Sequence, residues 1–184
     1  MLTIRNAVAL LLVVLALTTL GTSPAVAGSA TEIDRNVDNA IGLMFNNSPE
    51  ARQLSERAIG VLVFPDIVKA GFLFGAQYGE GALRQRGKTT GYYNSLAASY
   101  GLQAGVQVFG YALFFMTNSA LNYLARSGGF ELGTGPSIVV VDAGTARAFT
   151  TSTAQHDIYA VFFDQKGLMA GLGIQGSKIS RMDK

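Results

Sequence analysis

The hydrophobic pattern is strictest between Ser99 and Thr117. Tyr100, Leu102, Ala104, Val106 and Val108 alternate with Ser99, Gly101, Gln103, Gly105 and Gln107, the two-residue period of a strand with one buried face. Phe109-Gly110 breaks that phase. Tyr111 to Met116 is then apolar at every position, which predicts a strand buried on both sides. The opening of this stretch has two partial copies, Gly71 to Tyr78 and Gly167 to Ile174, in the order glycine, apolar, variable, apolar, glycine, apolar. Glycine weakens a strand, so its recurrence predicts places where a neighbouring backbone or a tight coil leaves no room for a side chain. The fold class is therefore α+β: a compact, strongly curved antiparallel β-sheet or barrel with N-terminal helices and one short internal helix.

Helical spacing appears first between Thr31 and Phe45, where Ile33, Val37, Ala40, Ile41, Met44 and Phe45 share a stripe and Glu32, Asp34 and Asp38 come early. Asn46-Asn47 ends it. Ser48 is placed to cap a second helix that opens on Pro49 and runs to about Ala58. Ile59 to Phe64 reads as a buried strand stopped by Pro65, with turns expected at Gly79-Glu80-Gly81 and Arg86-Gly87-Lys88. Asn118 to Arg126 predicts the internal helix. Phe130 to Val141 resumes strand character, Asp142 to Thr153 reads as a loop or weak hairpin, and Ile158 to Phe163 as a further strand.

Met1 to Ala27 has the form of a secretory signal peptide: Arg5, an apolar run from Ala7 to Leu20, and Ala25-Val26-Ala27 as the cleavage motif. This predicts one exported domain, 28–184, with a helical segment over about 31–58 and a β-rich body over 59–184. It would lie in the periplasm or outside the cell, free or peripheral on a membrane. Apolar residues make up 49% and charged residues 14%, which excludes general disorder. A net charge of +2 without an aromatic-basic cluster argues against nucleic acid. The chain has no cysteine, so disulfides and thiolate sites are excluded. Thr89 to Ala125 carries no charge, which raises a membrane-spanning helix. Gln103, Gln107, Asn118 and Asn122 and the two-residue period argue against it.

Candidate chemistry is sparse. Gly171, Gly173 and Gly176 match a dinucleotide-binding spacing without the helix that must follow it. His156 is the single histidine, and a hydrolase built on it with Asp157 or Asp142 lacks a serine in a nucleophile-elbow pattern. Asp142, Asp157 and Asp164 are too scattered for a metal cage. No enzymatic activity, cofactor or metal is expected.

Val63-Phe64-Pro65, Lys69-Ala70-Gly71, Tyr78-Gly79-Glu80-Gly81, Gly91-Tyr92-Tyr93, Ser99 to Gly105 and Gly167 to Gly171 follow in an order and spacing that resembles the SYLF domain family. The likeness covers about Ala30 to Met182. It implies a helical segment packed on a β-rich body, phospholipid binding and no catalysis. It also implies lipid contact through the N-terminal helix, at Ile33, Val37, Ile41, Met44 and Phe45. Lys69, Arg84, Arg86 and Lys88 are the candidates for a positive surface, provided the strands bring them together. Family members in fungi and animals are linked to actin regulation, a role not expected of an exported chain. The function expected is binding of anionic phospholipid at the cell envelope, with docking of a protein partner on a sheet edge as the alternative.

Overall fold

Ser29 and Ser48 punctuate the helical segment. In the computed structural model, which describes residues 28–72, 74–100, 105–126, 129–132, 135–141, 156–167 and 176–184, helix α1 spans Ala30–Asn47 and α2 spans Pro49–Arg57. Ser29 Oγ accepts from the Glu32 N–H. Ser48 serves both helices: its backbone N–H closes α1 on Met44, and its Oγ accepts from the Ala51 N–H. Helix α3, Asn118–Leu124, opens on Thr117 in the same way.

The strands are β1 Gly60–Phe72, β2 Phe74–Gln85, β3 Lys88–Tyr100, β4 Gly105–Phe115, β5 Phe130–Glu131, β6 Ile138–Val141, β7 Ile158–Gly167 and β8 Lys178–Met182. They form one sheet in the order β5-β8-β3-β2-β1-β4-β7-β6, curled into a half-barrel. Every pairing is antiparallel except β6 with β7, which is parallel and departs from the all-antiparallel expectation. Each face carries a core. Leu62, Phe64, Ile67, Phe109, Tyr111, Leu113 and Phe115 pack with Ala120 and Leu124 of α3. Val63, Ala82, Ala112, Phe114, Tyr159 and Val161 pack under Ile33, Val37, Ala40 and Met44 of α1. β4 separates the two cores, and Tyr111 to Phe115 is fully buried on both sides as its unbroken apolar run requires.

Several boundaries differ from the sequence pattern. Ser99 to Thr117 is not one strand. β3 ends beside Phe74 and β4 begins beside Gly71, so its halves lie on opposite sides of the β1–β2 hairpin. Residues 101–104 and most of the third glycine copy, 168–174, lie outside the described residues, as does the loop expected at 142–153. Pro65 does not end β1. The strand continues with one extra residue at Pro65-Asp66 against both β2 and β4, a bulge at a place where proline's missing N–H costs nothing. The phase break at Phe109-Gly110 is its counterpart, since β7 also carries an extra residue opposite, at Asp164, whose φ is 50°. Gly79-Glu80-Gly81 is not a turn but the middle of β2. Added Cβ atoms there would strike the carbonyls of Asp66 and Val63 beside the β1 bulge. Arg86-Gly87 is the turn expected, with φ of 50° and 76°. Phe130 to Val141 divides into β5 and β6.

Asp157 ties β7, β6 and α3 together. Its carboxylate accepts from the Ser137 N–H and hydroxyl, each at 3.1 Å, and from the Thr117 hydroxyl at 3.1 Å. Those bonds, the Ser137 backbone first, hold the carboxyl below the usual range. A carboxyl lowered by folding favours the folded state above its unfolded pKa and loses that advantage as pH falls through the lower folded value. Asp157→Ala is expected to cost about 1–2 kcal/mol at neutral pH. The gap from wild type in urea midpoint should narrow as the pH is taken below about 4. A constant gap from pH 7 to pH 2 would show that the carboxylate charge contributes nothing.

Candidate functional site

The first two turns of α1 are fixed to the sheet by Arg84. Alternation along β2 puts this guanidinium on the α1 face. Its Nη2 lies 2.7 Å from Asp38 Oδ1 and donates to the Asp34 carbonyl at 3.1 Å, while Nη1 donates to Thr89 Oγ1 at 2.6 Å. Thr89 passes the contact on to Asp34 Oδ1, and Tyr92 donates to Asp34 Oδ2 at 2.9 Å. Burial first, and the bond to Asp34 second, raise the Tyr92 phenol above its ordinary pKa.

Beyond this clamp Ala40 and Met44 stay buried against the sheet, while Ile41 and Phe45 stand on the flank of the helix. Between them, α2, α3 and the β2–β3 turn opens a cleft of about 1230 Å³. Ile41, Phe45, Ala58, Ile59, Val61 and Leu121 supply its apolar wall, and Arg84, Arg86 and Lys88 its basic rim, with Asp38 and Glu56 as the acidic groups present. The side chains of Arg86 and Lys88 are exposed and form no ion pair or hydrogen bond among the described residues. Arg52 of α2 lies over the Phe45 ring, 5.2 Å from its centroid. An apolar wall with a cationic mouth suits a ligand that is apolar along its length and anionic at one end.

The residues singled out from the sequence separate into three groups. Ile41, Phe45, Arg84, Arg86 and Lys88 meet in this cleft. Ile33, Val37 and Met44 are buried against the sheet, so with α1 docked they do not reach a lipid surface. Lys69 lies on the opposite face of the sheet, buried between Gln77 of β2 and Gln107 of β4, far along β1 from the cleft. Ile59, Val61 and Leu121 were missed as wall residues. The signal for Val61 was its place one step out of phase with Leu62 in an apolar run. His156 is exposed, and its neighbour Asp157 engages Ser137 and Thr117. Among the described residues no group of three His, Cys, Asp or Glu is placed to hold a metal, and no helix is long and apolar enough to cross a membrane.

The described residues thus form a half-barrel with a docked helix and an apolar cleft with a basic mouth. Residues 96–184 match the family model described as "Ysc84: Las17-binding protein actin regulator", so this segment is similar to the Ysc84, or SYLF, family. The chain is also similar to LAS seventeen-binding protein 3 of Saccharomyces cerevisiae, from strains YJM789 and ATCC 204508 / S288c. Each is 29% identical over 131 residues, which is 67% of this chain and 28% of the yeast protein. The chain thus spans little more than a quarter of the length of these curated relatives. The description of that family records binding to the protein Las17 and regulation of actin.

Proposed function

We propose that this protein is an exported, non-enzymatic domain that binds anionic phospholipid at the cell envelope, with the headgroup held by Arg86 and Lys88 and apolar chain packed on Ile41, Phe45 and Leu121. The observation that carries this reading is the meeting of a basic rim and an apolar wall in one cleft. Export draws on the Met1–Ala27 pattern and on Glu80, whose Oε2 accepts from the Gly28 N–H at 2.9 Å. Cleavage after Ala27 would leave an ammonium facing this carboxylate. The intact mass of protein recovered from expressing cells tests that step, and retention of residues 1–27 would refute it.

Flotation with vesicles tests the binding. Protein expressed from the full sequence should float with vesicles containing phosphatidylglycerol at low salt and be released at high salt. Arg86→Glu with Lys88→Glu should weaken this by roughly 30-fold or more, at about 1 kcal/mol for each cation removed from the anionic surface and with repulsion of the new carboxylates in addition. Arg84 is left intact because reversing it would break the α1 clamp. Unchanged binding in the double variant would sink this surface. A second reading rests on the relative's name, which records binding to a protein. A stoichiometric protein partner, without vesicle binding, would favour it.

A further inference from the structure

Parts of two charge-free stretches of the chain lie side by side at one end of the sheet. Cross-strand pairing aligns Lys178, Leu96, Tyr78, Val68, Val108 and Lys166 in a single row across β8, β3, β2, β1, β4 and β7. Paired residues share a face, and strand alternation from Val63, Ala82 and Ala112 places this row on the α1 face, past the point where α1 covers it. Behind the row stand Asp66, Glu80 and Asp164. Ahead of it, toward the β1–β2 hairpin, comes a row of Ala98, Ala76, Ala70 and Val106, and then Phe74. No Asp, Glu, Lys or Arg occurs in residues 70–79 or 89–125.

This apolar surface is open to solvent. Phe74 is 72% exposed, Val106 57%, Leu96 53%, Val68 46% and Tyr78 43%. Patches of this kind on a small domain mark a docking surface. Its charge layout selects the occupant. Cations stand at both ends of the row, with Lys178 exposed and Lys166 exposed and joined to Asp164 at 2.8 Å. Tyr78 lies between them with its hydroxyl turned back to Glu80 Oε1 at 2.8 Å. Lysines and a tyrosine at a boundary, acids on one side and uncharged apolar residues on the other, reproduce the layers of a bilayer: water, phosphate level, hydrocarbon.

We propose that the hairpin end of the α1 face enters a lipid bilayer, with Phe74, Val106, Leu96 and Val68 in the acyl layer and Lys166 and Lys178 at the phosphates. The inference rests on the lipid reading above and gives insertion to the sheet rather than to the helix stripe. It uses a different surface. β2 runs from Phe74 at this end to Gln85 at the cleft, roughly 35 Å of strand. The two attachments therefore differ in chemistry, since insertion of uncharged residues into the acyl layer is little affected by salt and does not require anionic lipid.

The chain contains no tryptophan, so Phe74→Trp supplies a single reporter. With vesicles of phosphatidylcholine alone, and at high salt, emission from the introduced indole should shift to the blue and be quenched by bromines high in the acyl chains. Leu96→Asp and Val106→Asp, both at exposed sites that the fold tolerates, should each weaken partition by roughly tenfold or more. Flotation with anionic vesicles while the indole stays unquenched would overturn insertion and leave the cleft reading standing. Absence of flotation with any vesicle would overturn both. A blue shift without lipid, accompanied by a dimer in sedimentation, would overturn the bilayer as occupant in favour of a second copy of the chain.

Discussion

Val37→Asp is expected to lower the stability of the lipid-free protein by about 3–5 kcal/mol, the cost of a buried charge without a partner. Val37 is fully buried in the core that joins α1 to Val63, Ala82, Ala112 and Phe114. Asp34 and Asp38 are already committed to Arg84 nearby, so a further carboxylate finds acids rather than cations at this end of the helix. Urea unfolding without lipid measures the effect. Val37→Ala, which removes volume but adds no charge, should show a smaller loss of the same sign. The result bears on function because a helix that only lies on membranes would have no docked state to lose. Val37→Asp with wild-type stability in solution would show that α1 does not depend on the sheet.

Gly81→Ala is expected to cost about 2 kcal/mol or more, although alanine usually gains by stiffening the unfolded chain. A Cβ at Gly81 would press on the Val63 carbonyl and the Phe64 ring, and the carbonyl cannot retreat without disturbing the pairing of Val63 with Ala82. Gly42 is the control. It lies on an exposed part of α1 with nothing within 4 Å of an added Cβ, so Gly42→Ala should stabilise by about 1 kcal/mol. The midpoints of urea denaturation should move in opposite directions at similar slope. An upward shift for both would show that the β1 bulge yields to a side chain.

The parts of the fold legible from sequence were those written in a single segment. Ser48-Pro49 announced the junction of two helices, and the apolar run through Phe115 announced a strand buried twice over. Gly79 and Gly81 were ambiguous for a physical reason. Glycine serves a turn and a close approach equally well, and only the position of β1 decides between them. Pro65 misled in the same way, because a bulge is a property of three strands in register. The site was half legible. The stripe from Ile33 to Phe45 is continuous in sequence, but it is wider than the face of α1 that meets the sheet. Ile33, Val37, Ala40 and Met44 thus became core while Ile41 and Phe45, on its flank, line the cleft. Arg84 read as a free cation because its partner Asp34 lies 50 positions earlier in the chain.

The strand order also governs the order in which the molecule can assemble. β1, β2 and β3 are neighbours in sequence and can zip together as a meander soon after they emerge, since their pairing closes only short loops. The outer edge of β3 waits far longer. Tyr92 to Leu96 pair with Lys178 to Met182, more than eighty residues later, and β5 joins only by way of β8. Until that segment has been synthesised and has travelled back across the chain, the sheet keeps an unpaired strand of five residues open to any other strand it meets. The slowest contacts to form are therefore those that seal this flank, and a growing chain is most open to mispairing just before they close.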